Sequence, residues 1–167
     1  MGQVVPEGFD LAGLANEAER RVVEACRDGL SDGWLVLPSV QIRTERRDHE
    51  LDVVLVHQGY GVLDLEVKGH RVRIESGRWT AEGRVMEPQP LDQARTNAYA
   101  LRDLIRSEVP GLERIEVEYG VALPNTTAFD GRLPPGAYEV QVLTATDLDD
   151  VAEAVELLAS PATTRWS

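Results

Sequence analysis

Four charged residues stand inside two apolar runs that a short turn joins. Residues 51–69 read LDVVLVHQGYGVLDLEVKG, with Asp52 in the first run and Asp64, Glu66 and Lys68 in the second. Lys68 is the only lysine of the chain. Charged side chains are costly to bury unless they are paired, hydrogen bonded or bound to a metal. The segment therefore predicts either internal ion pairs or a metal site.

The spacing of these residues favours a common face. The short turn predicts two antiparallel strands. Side chains alternate along a strand, so Asp64, Glu66 and Lys68 share one face, which Asp52 can reach from the neighbouring strand. Carboxylates on rigid strands, with open positions for water, are typical of a Mg²⁺ or Mn²⁺ site that acts on phosphate, and an adjacent lysine stabilises developing charge. The alternative is a buried Glu66–Lys68 ion pair, with Asp52 capping the other strand.

A glutamate on the preceding predicted helix is a candidate third acid. At about 100° per residue, Glu19 lies at the edge of the apolar stripe, beside Ala15 and Val22, whereas Glu17 lies on the solvated side. If either glutamate faces the sheet, we expect it to be Glu19.

Composition places the chain among ordinary globular proteins. It has 167 residues, 43% hydrophobic and 28% charged, which suit one domain. We expect neither a signal peptide nor a membrane span. The single Cys26 excludes an internal disulfide and a cysteine-based zinc site, and fits a cytoplasmic location. We expect it to be a small buried side chain rather than a nucleophile.

The net charge of −12 argues against strong nonspecific binding to nucleic acid. However, residues 40–106 hold eleven basic and eleven acidic residues. The rest of the chain, with six basic and eighteen acidic residues, carries the whole imbalance. The neutral part around the unusual hairpin therefore remains open to guided contact with nucleic acid.

Hydrophobic periodicity predicts the surrounding elements. Helices are predicted over 11–29, 91–107 and 147–158. Strands are predicted over 34–42, 50–58, 61–68, 115–123 and 138–144, with a small hairpin over 71–75 and 78–80. Pro38 indicates an edge position or a bulge. We expect a loose leader at 1–10, a single domain at 11–160 and a tail at 161–167, in which Trp166 has no evident partner. This order predicts an α/β fold with a mixed central sheet flanked by helices.

The ordered series of motifs resembles the nuclease-related domain (NERD) family, a branch of the PD-(D/E)xK nuclease superfamily. The resemblance covers about residues 14–123. It is carried by EAERRV around Glu19, ELDVVLV around Asp52, GVL leading into LEVKG around Glu66 and Lys68, GRW at 77–79 and PLDQ at 90–93.

The resemblance implies a restriction-endonuclease-like core and a phosphodiesterase that uses Mg²⁺ or Mn²⁺ on nucleic acid, with DNA the expected substrate. It implies that Asp52, Glu66 and the helical acid Glu19 bind the metal. It also implies that Lys68 is the catalytic lysine and that Gln93 is a polar helix residue of the site. The main-chain carbonyl of Val67 is a further expected ligand. A glutamine in a first helical turn can also simply cap the helix.

Other polar residues receive lesser roles. Glu50 is a reserve ligand, and Asp64 and His57 are expected to be structural or peripheral. His49 and His70 are expected to be solvated near strand ends. The arginines after the hairpin are either phosphate contacts or plain surface residues: Arg71, Arg73, Arg78 and Arg84.

Two further functions compete with a metal-dependent nuclease. A non-catalytic, nuclease-like module that binds nucleic acid or a protein would suit the acidic composition. A structural domain would use the hairpin acids only in internal ion pairs. The sequence leaves the type of nucleic acid and the oligomeric state open.

Overall fold

The fold is a six-stranded mixed sheet with helices on both faces. The computed structural model describes residues 1–128 and 131–159. The strands are β1 (Gln3–Val4), β2 (Leu35–Arg43), β3 (Asp48–His57), β4 (Gly61–Val67), β5 (Val72–Glu75), β6 (Arg78–Ala81), β7 (Arg84–Val85), β8 (Val117–Leu123) and β9 (Val142–Thr144). The α-helices are α1 (Glu17–Gly29), α2 (Pro90–Glu108), α3 (Ala145–Asp149) and α4 (Val151–Ala159), and short 3₁₀ turns cover Leu11–Gly13 and Glu139–Gln141.

The order of the strands confirms the predicted mixed sheet. The central sheet has the order β1-β2-β3-β4-β8-β9. β2, β3 and β4 are antiparallel neighbours, whereas β8 is parallel to both β4 and β9, and β1 is parallel to β2. A second, antiparallel sheet contains β5, β6 and β7 and lies in the connection from β4 to β8. Its third strand was not predicted.

The helices cover β4 from both sides. Leu63 and Leu65 pack in one core with Val22 of α1 and Leu158 of α4. Val62, on the opposite face of the strand, packs with α2. Because both faces are covered, β4 carries a nearly continuous apolar run, and charges on it face the protein interior.

Three elements differ most from their predictions. Helix α1 begins at residue 17, because the side chain of Asn16 accepts a hydrogen bond from the main-chain N–H of Glu19 and caps the helix. The predicted last helix is two helices, interrupted at Asp150, which has φ −130° and ψ 58°. The strand predicted from residue 138 begins at Val142, after a 3₁₀ turn.

The sheet edge at β2 corrects one smaller expectation and confirms another. Gln3 and Val4, placed in a loose leader, pair with Leu35 and Val36. Pro38 lies in β2 beyond these paired residues, so the edge position is confirmed. No bulge occurs there, because the register with β3 is the same on both sides of Pro38.

Cys26 is buried in the α1 core, and burial raises the pKa of its thiol to about 12, as expected for an inert side chain. None of the helices in the described ranges combines the length and apolar character that a membrane crossing requires. The tail at 161–167, with Trp166, lies outside the described residues.

Candidate active site

The candidate site lies where β3 and β4 stop pairing. Paired residues run from His57 and Gly61 to Val53 and Leu65. At the next position, the main-chain N–H of Val67 donates to Oδ2 of Asp52 at 2.8 Å. The aspartate side chain is therefore the acceptor at the end of the ladder and fixes the relative position of the two strand ends.

Lys68 is held between one acid and one amide. Its Nζ lies 3.4 Å from Oε1 of Glu66 and donates to Oε1 of Gln93 at 3.0 Å. The Glu66 side chain is 4% exposed and the Lys68 side chain 23% exposed, so the ammonium group lies at the border between the interior and solvent. Gln93, in the first turn of α2, uses its side chain to accept from the lysine.

Glu19 reaches the same place from α1. The pKa of Glu19 is raised to about 7 by partial burial, by the charge of Asp52 and by a hydrogen bond with that carboxylate. The charge of Glu50 raises the pKa further, whereas Lys68 lowers it. The structure thus brings Glu19 to Asp52, as the sequence predicts.

Repulsion among carboxylates also affects the two acids of β4. The pKa of Glu66 is raised to about 7, chiefly by burial and then by Asp52, against the opposing effect of Lys68. Asp64 is fully buried, and its carboxylate has no hydrogen-bond partner among the described residues. Burial, Glu66 and Asp52 raise the pKa of Asp64 well above its ordinary value. Lys68 alone does not balance this cluster.

The residues present partly fit a divalent ion. Oε2 of Glu66 is buried and without a hydrogen-bond partner in the described residues, so it is available to a cation. However, no group of three or more His, Cys, Asp and Glu side chains in the described ranges is arranged to hold a metal ion. The fit therefore depends on the carboxylates of Asp52 and Glu66. The third ligand would be the Val67 carbonyl, or the Glu19 carboxylate after a rearrangement of its side chain. These oxygen donors suit magnesium or manganese.

A clamp that the sequence did not predict joins the strand ends beside Lys68. Nδ2 of Asn125, just after β8, donates to the carbonyl of Gly69 at 2.6 Å. The Asn125 side chain in turn accepts from Nη1 of Arg21, and Nη2 of Arg21 donates to the Pro124 carbonyl at 3.1 Å. These bonds connect α1 with the ends of β4 and β8. Only the position of Asn125 directly after a predicted strand could have suggested it.

Of the three histidines, His49 differs from its prediction, and the other two lie as predicted. His49 is buried, not solvated, and its Nδ1 bonds Oδ1 of Asn97 at 2.9 Å. His57 is structural, since its Nδ1 accepts from the N–H of Gly59 at 2.9 Å and its ring packs on Trp34. His70 is exposed, as expected.

A cleft of about 420 Å³ lies beside Gln93. Its lining includes Arg47, His49 and Asn97, so it separates the beginning of β3 from α2. The cleft gives the Gln93 side of the site a path to solvent. A larger cavity of about 910 Å³, near β9, contains none of the predicted site residues in its lining.

The predicted phosphate-binding arginines belong to the second sheet or its approach. Arg71, Arg73 and Arg78 are exposed. Arg78 is ion paired with Glu87 at 3.1 Å, so part of its charge is already balanced. Their contact with nucleic acid stays a prediction.

Comparison with known families agrees with this geometry. The family model of the nuclease-related domain matches residues 14–124, two thirds of the chain, and the match includes Glu19, Asp52, Glu66, Lys68 and Gln93. No significant match exists among the curated proteins or the solved structures. The core is an α/β fold of the restriction-endonuclease-like type, and the site lies where β3 and β4 stop pairing. The match shows that the chain belongs to the nuclease-related domain (NERD) family.

Proposed function

We propose that this chain is a divalent-metal-dependent nuclease that hydrolyses phosphodiester bonds, with DNA as the expected substrate and Mg²⁺ or Mn²⁺ as the cofactor. One observation carries the proposal. Asp52 binds the Val67 N–H at the end of β4. Nζ of the next residue, Lys68, lies 3.4 Å from Glu66 and 3.0 Å from Gln93. Glu19 interacts with Asp52 from α1. Membership of the family supports a nuclease-related function.

Each residue has a role that its contacts support. Asp52, Glu66 and the Val67 carbonyl would hold the ion, with Glu19 as a further ligand. When bound, the ion would lower the pKa of a water molecule and offset negative charge on the phosphate. Lys68 is placed to donate a hydrogen bond to the phosphate or to the attacking water. The side chain of Gln93 accepts a hydrogen bond from Nζ of Lys68 at 3.0 Å and so holds the ammonium group of the lysine in place.

The direct test compares wild type with Lys68→Ala on single-stranded and duplex DNA and on RNA, with Mg²⁺ or Mn²⁺. We expect metal-dependent cleavage that falls at least a hundredfold in the variant, roughly the loss of one group that stabilises charge in the transition state. Circular dichroism of both proteins provides the folding control. The absence of metal-dependent cleavage above the variant, on all substrates, would refute the proposal.

A second candidate is a nuclease-like module that binds nucleic acid or a protein without cleaving. The net charge of −12, and the pairing of several arginines with neighbouring acids, favour it. Titration of Mn²⁺ by calorimetry separates the two candidates. Binding that is lost in Asp52→Asn supports the enzyme, since asparagine keeps an acceptor for the Val67 N–H but lacks the charge. No binding by wild type supports the module.

A further inference from the structure

Arg21 is held in place by two uncharged groups. Several other arginines are within ion-pair distance of an acid: Arg20, Arg27, Arg43, Arg78, Arg95, Arg102 and Arg106. Arg21 has no ion pair in the described ranges, yet its guanidinium is held by Oδ1 of Asn125 and by the carbonyl of Pro124. Both acceptors are uncharged, so the side chain is positioned but its charge is not neutralised.

The position of Arg21 connects it with the candidate site. Asn125 bonds both Arg21 and the carbonyl of Gly69, the residue after Lys68. Ala18, one turn before Arg21 on α1, lies so close to Gly69 that a Cβ on that glycine would be 2.9 Å from the alanine methyl. Arg21 therefore lies at the ends of β4 and β8, on the α1 side, whereas Gln93 borders the α2 side.

The guanidinium keeps free donors in this arrangement. A guanidinium has N–H groups on three nitrogens, and Arg21 uses only some of those on Nη1 and Nη2. The side chain is exposed, so the remaining donors are accessible. A fixed, exposed arginine binds phosphate with a smaller loss of side-chain entropy than a mobile one.

We propose that Arg21 binds a backbone phosphate of the nucleic acid, next to the phosphate that is cleaved, and that Asn125 is the residue that positions it. This inference rests on the proposed function and names the strand contact on the α1 side of the site. It assigns a phosphate contact to α1, whereas the sequence predicts such contacts only in the arginines after the hairpin.

The test measures how binding depends on salt. Fluorescence anisotropy follows a labelled oligonucleotide, single-stranded or duplex, in Ca²⁺, with gel electrophoresis to verify that the probe stays intact. Wild type is compared with Arg21→Gln, Arg21→Lys and Arg114→Gln. Arg114 is exposed, has no ion pair in the described ranges and precedes β8, so it lies near the opposite end of that strand.

Loss of one phosphate contact lowers the slope of log affinity against log salt by about 0.7 for single strands and about 0.9 for duplex. We expect this change of slope in Arg21→Gln. A tenfold increase in salt should therefore weaken the binding of the variant by a factor about five to eight times smaller than the factor for wild type. Arg21→Lys should retain most of the slope, and Arg114→Gln all of it.

The outcomes separate this inference from the proposed function. An unchanged slope in Arg21→Gln, with normal binding by wild type, overturns the role of Arg21 and leaves the nuclease proposal standing. A lower melting temperature with an unchanged slope has the same meaning, since it indicates a purely structural clamp. Failure of wild type to bind or cleave any probe overturns both proposals.

Discussion

Replacement of Glu66 by glutamine should stabilise the metal-free protein at neutral and alkaline pH. The pKa of Glu66 is raised from 4.5 to about 7 by burial and by Asp52, although Lys68 opposes the shift. A raised pKa means that the folded state holds its proton more tightly than the unfolded state. Ionised Glu66 therefore destabilises the folded state. Wild type does not carry this cost below about pH 4.5, loses stability as the pH rises, and carries the whole cost above about pH 7.

The size of the effect follows from the shift. At about 1.4 kcal/mol per pKa unit, a change from 4.5 to about 7 corresponds to about 3 kcal/mol. Glutamine keeps the shape of the side chain but cannot ionise. The free energy of unfolding of Glu66→Gln should exceed that of wild type by up to about 3 kcal/mol at pH 8, with little difference at pH 4.

Urea denaturation with EDTA, across this pH range, measures the difference. The exposed Glu75 of β5 provides a matched control, since Glu75→Gln is the same substitution on the surface and should change the free energy of unfolding by no more than about 0.5 kcal/mol. Mn²⁺ at about a thousand times its Kd should then reverse the order, because it adds about 4.1 kcal/mol to wild type and much less to the variant.

The opposite result would refute this reasoning. If Glu66→Gln is clearly less stable than wild type at pH 8 without metal, the Glu66–Lys68 contact is a net stabilising ion pair. The hairpin acids would then belong to the structural alternative. If Mn²⁺ stabilises both proteins equally, Glu66 is not a ligand.

Two further predictions concern the same acids. The affinity for Mn²⁺ should increase from about pH 6 to about pH 8, since the ion competes with protons on Glu19 and Glu66, whose pKa values are about 7. Calorimetry in buffers of different ionisation enthalpy should detect the released protons, and an affinity independent of pH would contradict this. Asp64→Asn should stabilise the protein above pH 7, because burial raises the pKa of Asp64 and the wild-type penalty is absent only below its ordinary value of 3.8. Equal or lower stability of Asp64→Asn in urea at pH 8 would contradict that expectation.

The central hairpin could be predicted because its information is local. Two apolar runs and a short turn define an antiparallel pair, and alternation places Glu66 and Lys68 on one face. The helical stripe similarly placed Glu19 toward the sheet. The resemblance then supplied Gln93, which is distant in sequence, as a further residue of the site.

The features that were missed depend on distant partners. His49 follows a charged turn and looks solvated, but Asn97 of α2 provides its buried partner. Gln3 and Val4 form a strand only because β2 offers a free edge. The interruption at Asp150 leaves the helical spacing of Leu148 and Val151 intact, so periodicity alone could not detect it.

The bond between Asp52 and the Val67 N–H has a consequence for reading related chains. That aspartate supports the architecture as well as the proposed chemistry, so a related chain without activity would still need it, or an asparagine, to bind the Val67 N–H. Glu66 has no such second duty, since one of its oxygens is buried without a partner in the described residues and its burial is costly. Under the proposed function, retention of the glutamate is therefore a better marker of activity than retention of the aspartate.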